Sequence, residues 1–277
     1  MADGLVETAL TQPPGVRFQP RQEVSTAALV VAGSSGRVDR ERARLLAGTG
    51  VLAESIQWFG GPGQPAAPVE IPLETFADRV AALRSPVDRV VLVGVSFGAE
   101  AALATAAHTG GVDAVVAFAP SDVMWAGVRD DGTQTAHWTL GGRPLPFVLF
   151  DEGWQPTTRP PAYRELYRLS RRADPAVTAA ATIEVERIPR VTLVVGGDDQ
   201  VWPSDEHADA IAVRRRGFGL ESEIVADAEA GHRVILPGEP VVADDHRLVR
   251  GGNPHADARL GALAWPALVR AVHGIPN

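Results

Sequence analysis

The 277-residue chain contains no cysteine and no lysine. The first absence excludes disulfides, thiolate metal sites and a cysteine nucleophile. The second leaves arginine to supply all 26 basic residues, against 34 acidic ones, for a formal charge of −8. No basic footprint for nucleic acid exists at that balance, although a local arginine cluster can still hold a small anion. With so much Ala, Gly, Pro and Val, the missing lysine fits a GC-rich coding sequence rather than a function. No run of 18 apolar residues occurs, so no membrane-spanning helix is expected. Residues 1–6 carry Asp3 and lack a basic stretch followed by an apolar one. No signal peptide is read there, and the expected location is cytoplasmic. Hydrophobic residues at 45% and charged residues at 22% are the mix of a globular chain that can bury an ordinary core.

Neither an internal repeat nor a low-complexity linker divides the sequence, which reads as a single domain over 1–277. Strand-length apolar runs alternate with helix-like segments, the pattern of a mostly parallel sheet covered by helices. Strands are predicted at 26–32, 51–56, 89–95, 114–118 and 191–195, with another beginning at 223–225. Helices are predicted at 39–46, 72–83, 99–108 and 162–172. Residues 89–95 (RVVLVGV) form the clearest strand, unbroken in apolar character as the centre of a parallel sheet requires. Between about 120 and 187 the pattern degrades into Pro-, Gly- and Trp-bearing segments, a candidate cap or lid inserted between core strands.

The chemistry concentrates at Gly94-Val95-Ser96-Phe97-Gly98, a G-x-S-x-G motif between that strand and an alanine-rich helix. A serine on so tight a turn is strained, and glycines two positions to either side let the neighbouring backbone close in. The turn exposes the hydroxyl and sets the Phe97 amide at a helix N-terminus, where negative charge is favoured. Ser96 is therefore the expected nucleophile of an α/β-hydrolase fold, in which the acid and then the histidine follow along the chain.

Two aspartates compete for the acid, because strand 191–195 runs into Gly196-Gly197-Asp198-Asp199. Asp199 is preferred, since such loops spend a glycine and two more residues before the acid turns inward. Of the seven histidines, His232 alone follows a late strand through a small-residue loop, 33 residues after Asp199. His207 is placed on a helix and His246 and His255 in polar loops, while His108, His137 and His273 lie where no base is needed. The expected reaction is attack of Ser96 on a carbonyl, with His232 as base and Asp199 fixing the imidazole tautomer. The oxyanion would be held by the Phe97 amide and one from Gly33-Ser34-Ser35-Gly36, with Ser34 preferred over Ser35. That loop lacks a P-loop lysine and the third glycine of a dinucleotide fingerprint. No cofactor and no metal are expected.

With these residues in place, the chain from about residue 32 onward resembles the C-terminal domain shared by acyl-CoA thioesterases and bile acid-CoA:amino acid N-acyltransferases. The carriers are Arg42-Ala43-Arg44-Leu45-Leu46-Ala47-Gly48, Gly94-Val95-Ser96-Phe97-Gly98-Ala99-Glu100 and Ala119-Pro120-Ser121. Further carriers are Gly196-Gly197-Asp198-Asp199-Gln200-Val201-Trp202-Pro203-Ser204, Ala230-Gly231-His232 and Gly251-Gly252-Asn253-Pro254-His255-Ala256. The resemblance implies Ser96, Asp199 and His232 as the triad and an acyl thioester, such as an acyl-CoA, as substrate. Animal members of the family carry an additional N-terminal β-sandwich domain. Here only about 25 residues precede the first core strand, and 5–10 with 16–18 suffice for at most an edge hairpin. The acyltransferase branch carries cysteine at the nucleophile, so serine favours hydrolysis over transfer.

Trp125, His137, Trp138, Trp154, Tyr163 and Tyr167 in the insertion, with Trp202 beside the acid, would either wall an acyl pocket or pack beneath a cap. Trp125, Trp202 and Ser35 are the residues chosen for substrate binding. Arg129, Arg143, Arg159, Arg171 and Arg172 are candidates for a CoA phosphate, or simply solvated. Two other functions compete: a carboxylesterase, lactonase or acyltransferase using the same triad, and a non-catalytic scaffold. The oligomeric state is left open.

Overall fold

The computed structural model describes residues 4–241 and 247–275. Leu5–Thr11 (β1) and Pro14–Pro20 (β2) form an antiparallel hairpin, followed by Thr26–Val31 (β3), Arg40–Ala47 (α1) and Leu52–Ile56 (β4). Next come Ile71–Pro72 (β5), Glu74–Arg84 (α2), Arg89–Val95 (β6), Phe97–Thr109 (α3) and Ala114–Phe118 (β7). The stretch that follows holds Ala126–Val128 (β8), Gln134–Ala136 (β9), Trp138–Leu140 (β10), Arg143–Pro144 (β11), Arg164–Ala173 (α4) and Pro175–Ala181 (α5). The chain then returns through Val191–Gly196 (β12), Ser204–Gly217 (α6), Glu223–Asp227 (β13) and Pro254–His273 (α7).

Eight strands make the main sheet in the order β1-β2-β4-β3-β6-β7-β12-β13, parallel throughout except at the hairpin and its junction with β4. Strands β3, β7 and β12 are buried along their whole length, which is why they read as continuous apolar runs. Alternate residues of β3 serve opposite faces. Ala27, Leu29 and Val31 pack with α2 and α3 residues such as Phe76 and Leu103, and Ala28 and Val30 pack with Ala43 of α1 and Leu260 of α7. Helix α3 is buried over ten of its residues, and its alanines let it lie close on the sheet.

Two departures from the sequence reading have local causes. The helix expected over 72–83 starts at Glu74, because Ile71–Pro72 is drawn into a small sheet with β10 and β11. His255 is not in a loop but in the first turn of α7. There Asn253 caps the helix, its side chain accepting from the His255 and Ala256 amides, and Pro254 occupies the first turn. The edge hairpin allowed over 5–10 and 16–18 is present, with strands of seven residues each, and β2 joins it to the main sheet by pairing with β4.

A buried charge cluster adds to the strand pairing at that junction. Glu54 on β4 is fully buried between Arg17 of β2, at 2.6 Å, and Arg79 of α2, at 2.7 Å. Replacing it with glutamine leaves two guanidinium groups without their shared counter-charge. Glu54→Gln should therefore lower unfolding stability by about 3 kcal/mol, read as a shift in the urea midpoint. A loss below about 1 kcal/mol would mean the pair is effectively a surface one.

Candidate active site

Strand β6 ends in the elbow. Ser96 has φ 56° and ψ −124°, a strained backbone for a residue with a side chain. The packing explains the flanking glycines: a Cβ on Gly94 would lie 2.2 Å from the Gly98 carbonyl, and one on Gly98 would lie 2.2 Å from that of Val31. Ser96 is tied on both sides, its amide donating to the Phe118 carbonyl at 2.9 Å and its carbonyl accepting from Ala99 at 2.8 Å. Phe97 begins α3, so its amide has no partner within the helix and none among the other described residues.

The glycine loop after β3 lies against this turn. A Cβ on Gly33 would come within 3.1 Å of the Ser96 Cβ and 3.7 Å of its hydroxyl oxygen. Gly36 closes the loop by donating to the Gly33 carbonyl at 2.9 Å, which leaves Ser34 and Ser35 exposed at its tip.

Asp199 and Asp198 point to different tasks. The Asp199 carboxylate is fully buried: Oδ2 meets His232 Nδ1 at 2.8 Å, and Oδ1 accepts from the Val201 and Trp202 amides at 2.9 and 3.2 Å. Three contacts on one carboxylate fix its orientation. Asp198 instead accepts from the Gln200 side chain at 2.7 Å and the Gly252 amide at 2.8 Å, holding the acid loop to the glycine turn before α7. The Arg250 carbonyl joins the same loops, accepting from the Gln200 amide at 3.2 Å and the His232 amide at 2.9 Å. With Nδ1 facing Asp199, the His232 Nε2 is left as the free imidazole nitrogen.

The family model described as BAAT / acyl-CoA thioester hydrolase C terminal matches residues 71–273. The chain belongs to this family. It is similar to mouse acyl-coenzyme A thioesterase 2, mitochondrial, at 28% identity over 87% of this chain and 53% of that one. Mouse acyl-coenzyme A thioesterase 1 is also 28% identical, over 87% of this chain and 58% of its own. The chain thus spans little more than half the length of these relatives. Among solved structures, a dienelactone hydrolase-like promiscuous phosphotriesterase from metagenomic libraries superposes with a TM-score of 0.57 at 18% identity, over 98% of this chain and 97% of that one. A Pyrobaculum calidifontis esterase gives 0.57 at 15%, over 98% and 85%. These likenesses establish the α/β-hydrolase fold for this family member.

Of the residues chosen for substrate contact, Trp202 touches both halves of the site, its ring centroid 5.8 Å from His232 and 5.4 Å from Phe97. Trp202 and Trp125 are both fully buried in one hydrophobic cluster; Trp125 stacks on Phe150, with its amide donating to Glu100 and its indole nitrogen to Ser121. Of the arginines, Arg129 pairs with Glu70 and Arg171 with Asp122, whereas Arg143, Arg159 and Arg172 are exposed. His246 lies outside the described residues. Among the described residues no group of three or more His, Asp or Glu could hold a metal, and no helix is long and apolar enough to cross a membrane.

Three buried polar groups have roles that no sequence pattern assigns in this family member. Asp122 meets the His207 imidazole and Arg171. Burial pushes its carboxyl up, but those partners outweigh burial and hold it below the usual range. Glu100, one turn after Ser96, accepts from the Trp138 indole at 2.7 Å and so anchors the 120–187 segment to α3. Arg42 on α1 pairs with Glu239, and no local pattern marks a partner 197 positions away.

Proposed function

We propose that the chain is a serine hydrolase of acyl thioesters, working through Ser96, His232 and Asp199. The observation that carries this reading is the 2.8 Å contact between the fully buried Asp199 and His232 Nδ1, linked to the strained serine elbow through Trp202, whose ring meets both His232 and Phe97. Asp199 holds the imidazole with Nε2 toward the nucleophile and stabilises the imidazolium that forms. Ser96 Oγ attacks the thioester carbonyl as its proton passes to His232 Nε2. Negative charge on the carbonyl oxygen is met by the Phe97 amide and a second amide from the Gly33–Gly36 loop, that of Ser34. Collapse expels the thiol with the proton held by His232 and leaves an ester on Ser96. Water, deprotonated by the same histidine, then attacks that ester, and the acid is freed as His232 returns the proton to the departing Ser96 Oγ.

Membership of the thioester hydrolase family supports the leaving group, and the serine nucleophile supports water as acceptor. The insertion over 120–187, bound to α3 through Glu100, is read as the cap that walls the acyl side, with Trp202 at the boundary. A panel of acyl-CoAs and p-nitrophenyl esters of matched acyl chain tests the assignment. CoA release should be the faster reaction for the preferred chain. Faster oxygen-ester cleavage across the panel would make this an esterase or lactonase with the same triad.

A further inference from the structure

Arg42 touches segments that lead to all three parts of the proposed site. It lies on α1, the helix entered directly from the Gly33–Gly36 loop, and it is almost fully buried. Its guanidinium lies over the Phe118 ring at 4.7 Å, and the Phe118 carbonyl is the group that holds the Ser96 amide. One terminal nitrogen donates to the Val234 carbonyl at 3.1 Å, two residues past His232. The same nitrogen and Nε form a fork on Glu239 at 2.9 and 2.7 Å, and Glu239 in turn accepts from the Leu236 amide at 2.9 Å. Burial alone would weaken the arginine's charge, and Glu239 more than restores it.

We infer that Arg42 and Glu239 are positioning residues, which set the loop carrying His232 against the nucleophile elbow and the oxyanion loop. This role presupposes the proposed triad. His232 is held by its own amide on the Arg250 carbonyl, and the segment 233–239 that follows it, without strand pairing, depends on other anchors. On the side of α7, the Ile235 amide donates to the Asp257 carbonyl at 3.2 Å. On the side of α1 the anchors are the Arg42 fork and its bond to Val234. Lysine cannot replace the arginine, because one ammonium cannot span a carboxylate, a backbone carbonyl and an aromatic face at once. A small displacement of the base lowers the rate without altering how the acyl chain binds.

Steady-state kinetics and fluorophosphonate inactivation of Arg42→Lys and Glu239→Gln test the inference, with Glu54→Gln as a variant that loses a buried ion pair outside this network. Inactivation by the probe requires Ser96 to be activated but needs no acyl recognition, so it isolates the alignment. Both variants should lose about 10- to 100-fold in kcat and a similar factor in inactivation rate, with KM within about two-fold of wild type. Glu54→Gln should keep wild-type values of all three. Should Arg42→Lys not fold, Glu239→Gln, which preserves shape and sits at a partly exposed position, carries the test alone. Unchanged kcat and inactivation rates, a loss confined to KM, or an equal kcat loss in Glu54→Gln would overturn the positioning role while leaving the triad intact. Failure of the wild-type protein to react at Ser96 would overturn both.

Discussion

Ser96→Ala should lower kcat by about 10⁶-fold on any ester or thioester the wild-type protein cleaves. The substitution removes one oxygen from a side chain on which the fold does not depend. The elbow is held by backbone: the Ser96 amide on Phe118, its carbonyl on Ala99 and Glu100, and close glycine contacts at 94 and 98. Alanine keeps these, so the thermal midpoint should stay close to wild type. What remains is a His232–Asp199 pair with nothing to activate and an oxyanion loop with no tetrahedral intermediate to hold. A loss of only about ten-fold, measured on the wild-type enzyme's best substrate, would mean that another residue carries the acyl group.

Asp199→Asn should cost about 10⁴-fold in kcat, and Asp198→Asn far less. At position 199 an amide still accepts from the Val201 and Trp202 backbone, so the loop survives. Opposite His232, however, an amide NH₂ would meet the Nδ1 proton, and the imidazole relieves the clash by taking the other tautomer. Its Nε2 then carries a hydrogen and cannot accept one from Ser96. At position 198 the carboxylate only bridges Gln200 and Gly252, and asparagine can accept at least one of those bonds. Comparing kcat for the two variants on one substrate separates the two aspartates. The reverse ranking would assign the acid role to Asp198.

How much of this can be read from the chain depends on how local each signal is. The parallel sheet is legible because β3, β6, β7 and β12 are buried and spell out apolar runs. The elbow is legible because its glycines answer a steric need within five residues. Asp199 and His232 are reached through their order after late strands, and the contact between them is a tertiary fact that spacing only brackets. Helix α7 is hidden although Asn253-Pro254 and Gly274 mark its two ends, because the glycines and histidine around 251–255 suggest a loop. The short strand at Ile71–Pro72 exists only through β10, about 67 residues later, so no local propensity announces it. Trp125 illustrates a further ambiguity: a tryptophan there reads alike whether it lines a pocket or fills a core. In the structure it fills a core, packed on Phe150 and Tyr167. Arg42 and Glu239 belong to the same class, since a buried ion pair across the chain leaves no periodicity behind.

The most direct measurement is intact-mass and peptide-mapping analysis of the protein after reaction with a fluorophosphonate. One adduct per chain is expected, on the peptide containing Ser96, with slower formation in His232→Ala and none in Ser96→Ala. An adduct on a different residue, or one that persists in Ser96→Ala, would contradict the assignment of Ser96 as the nucleophile.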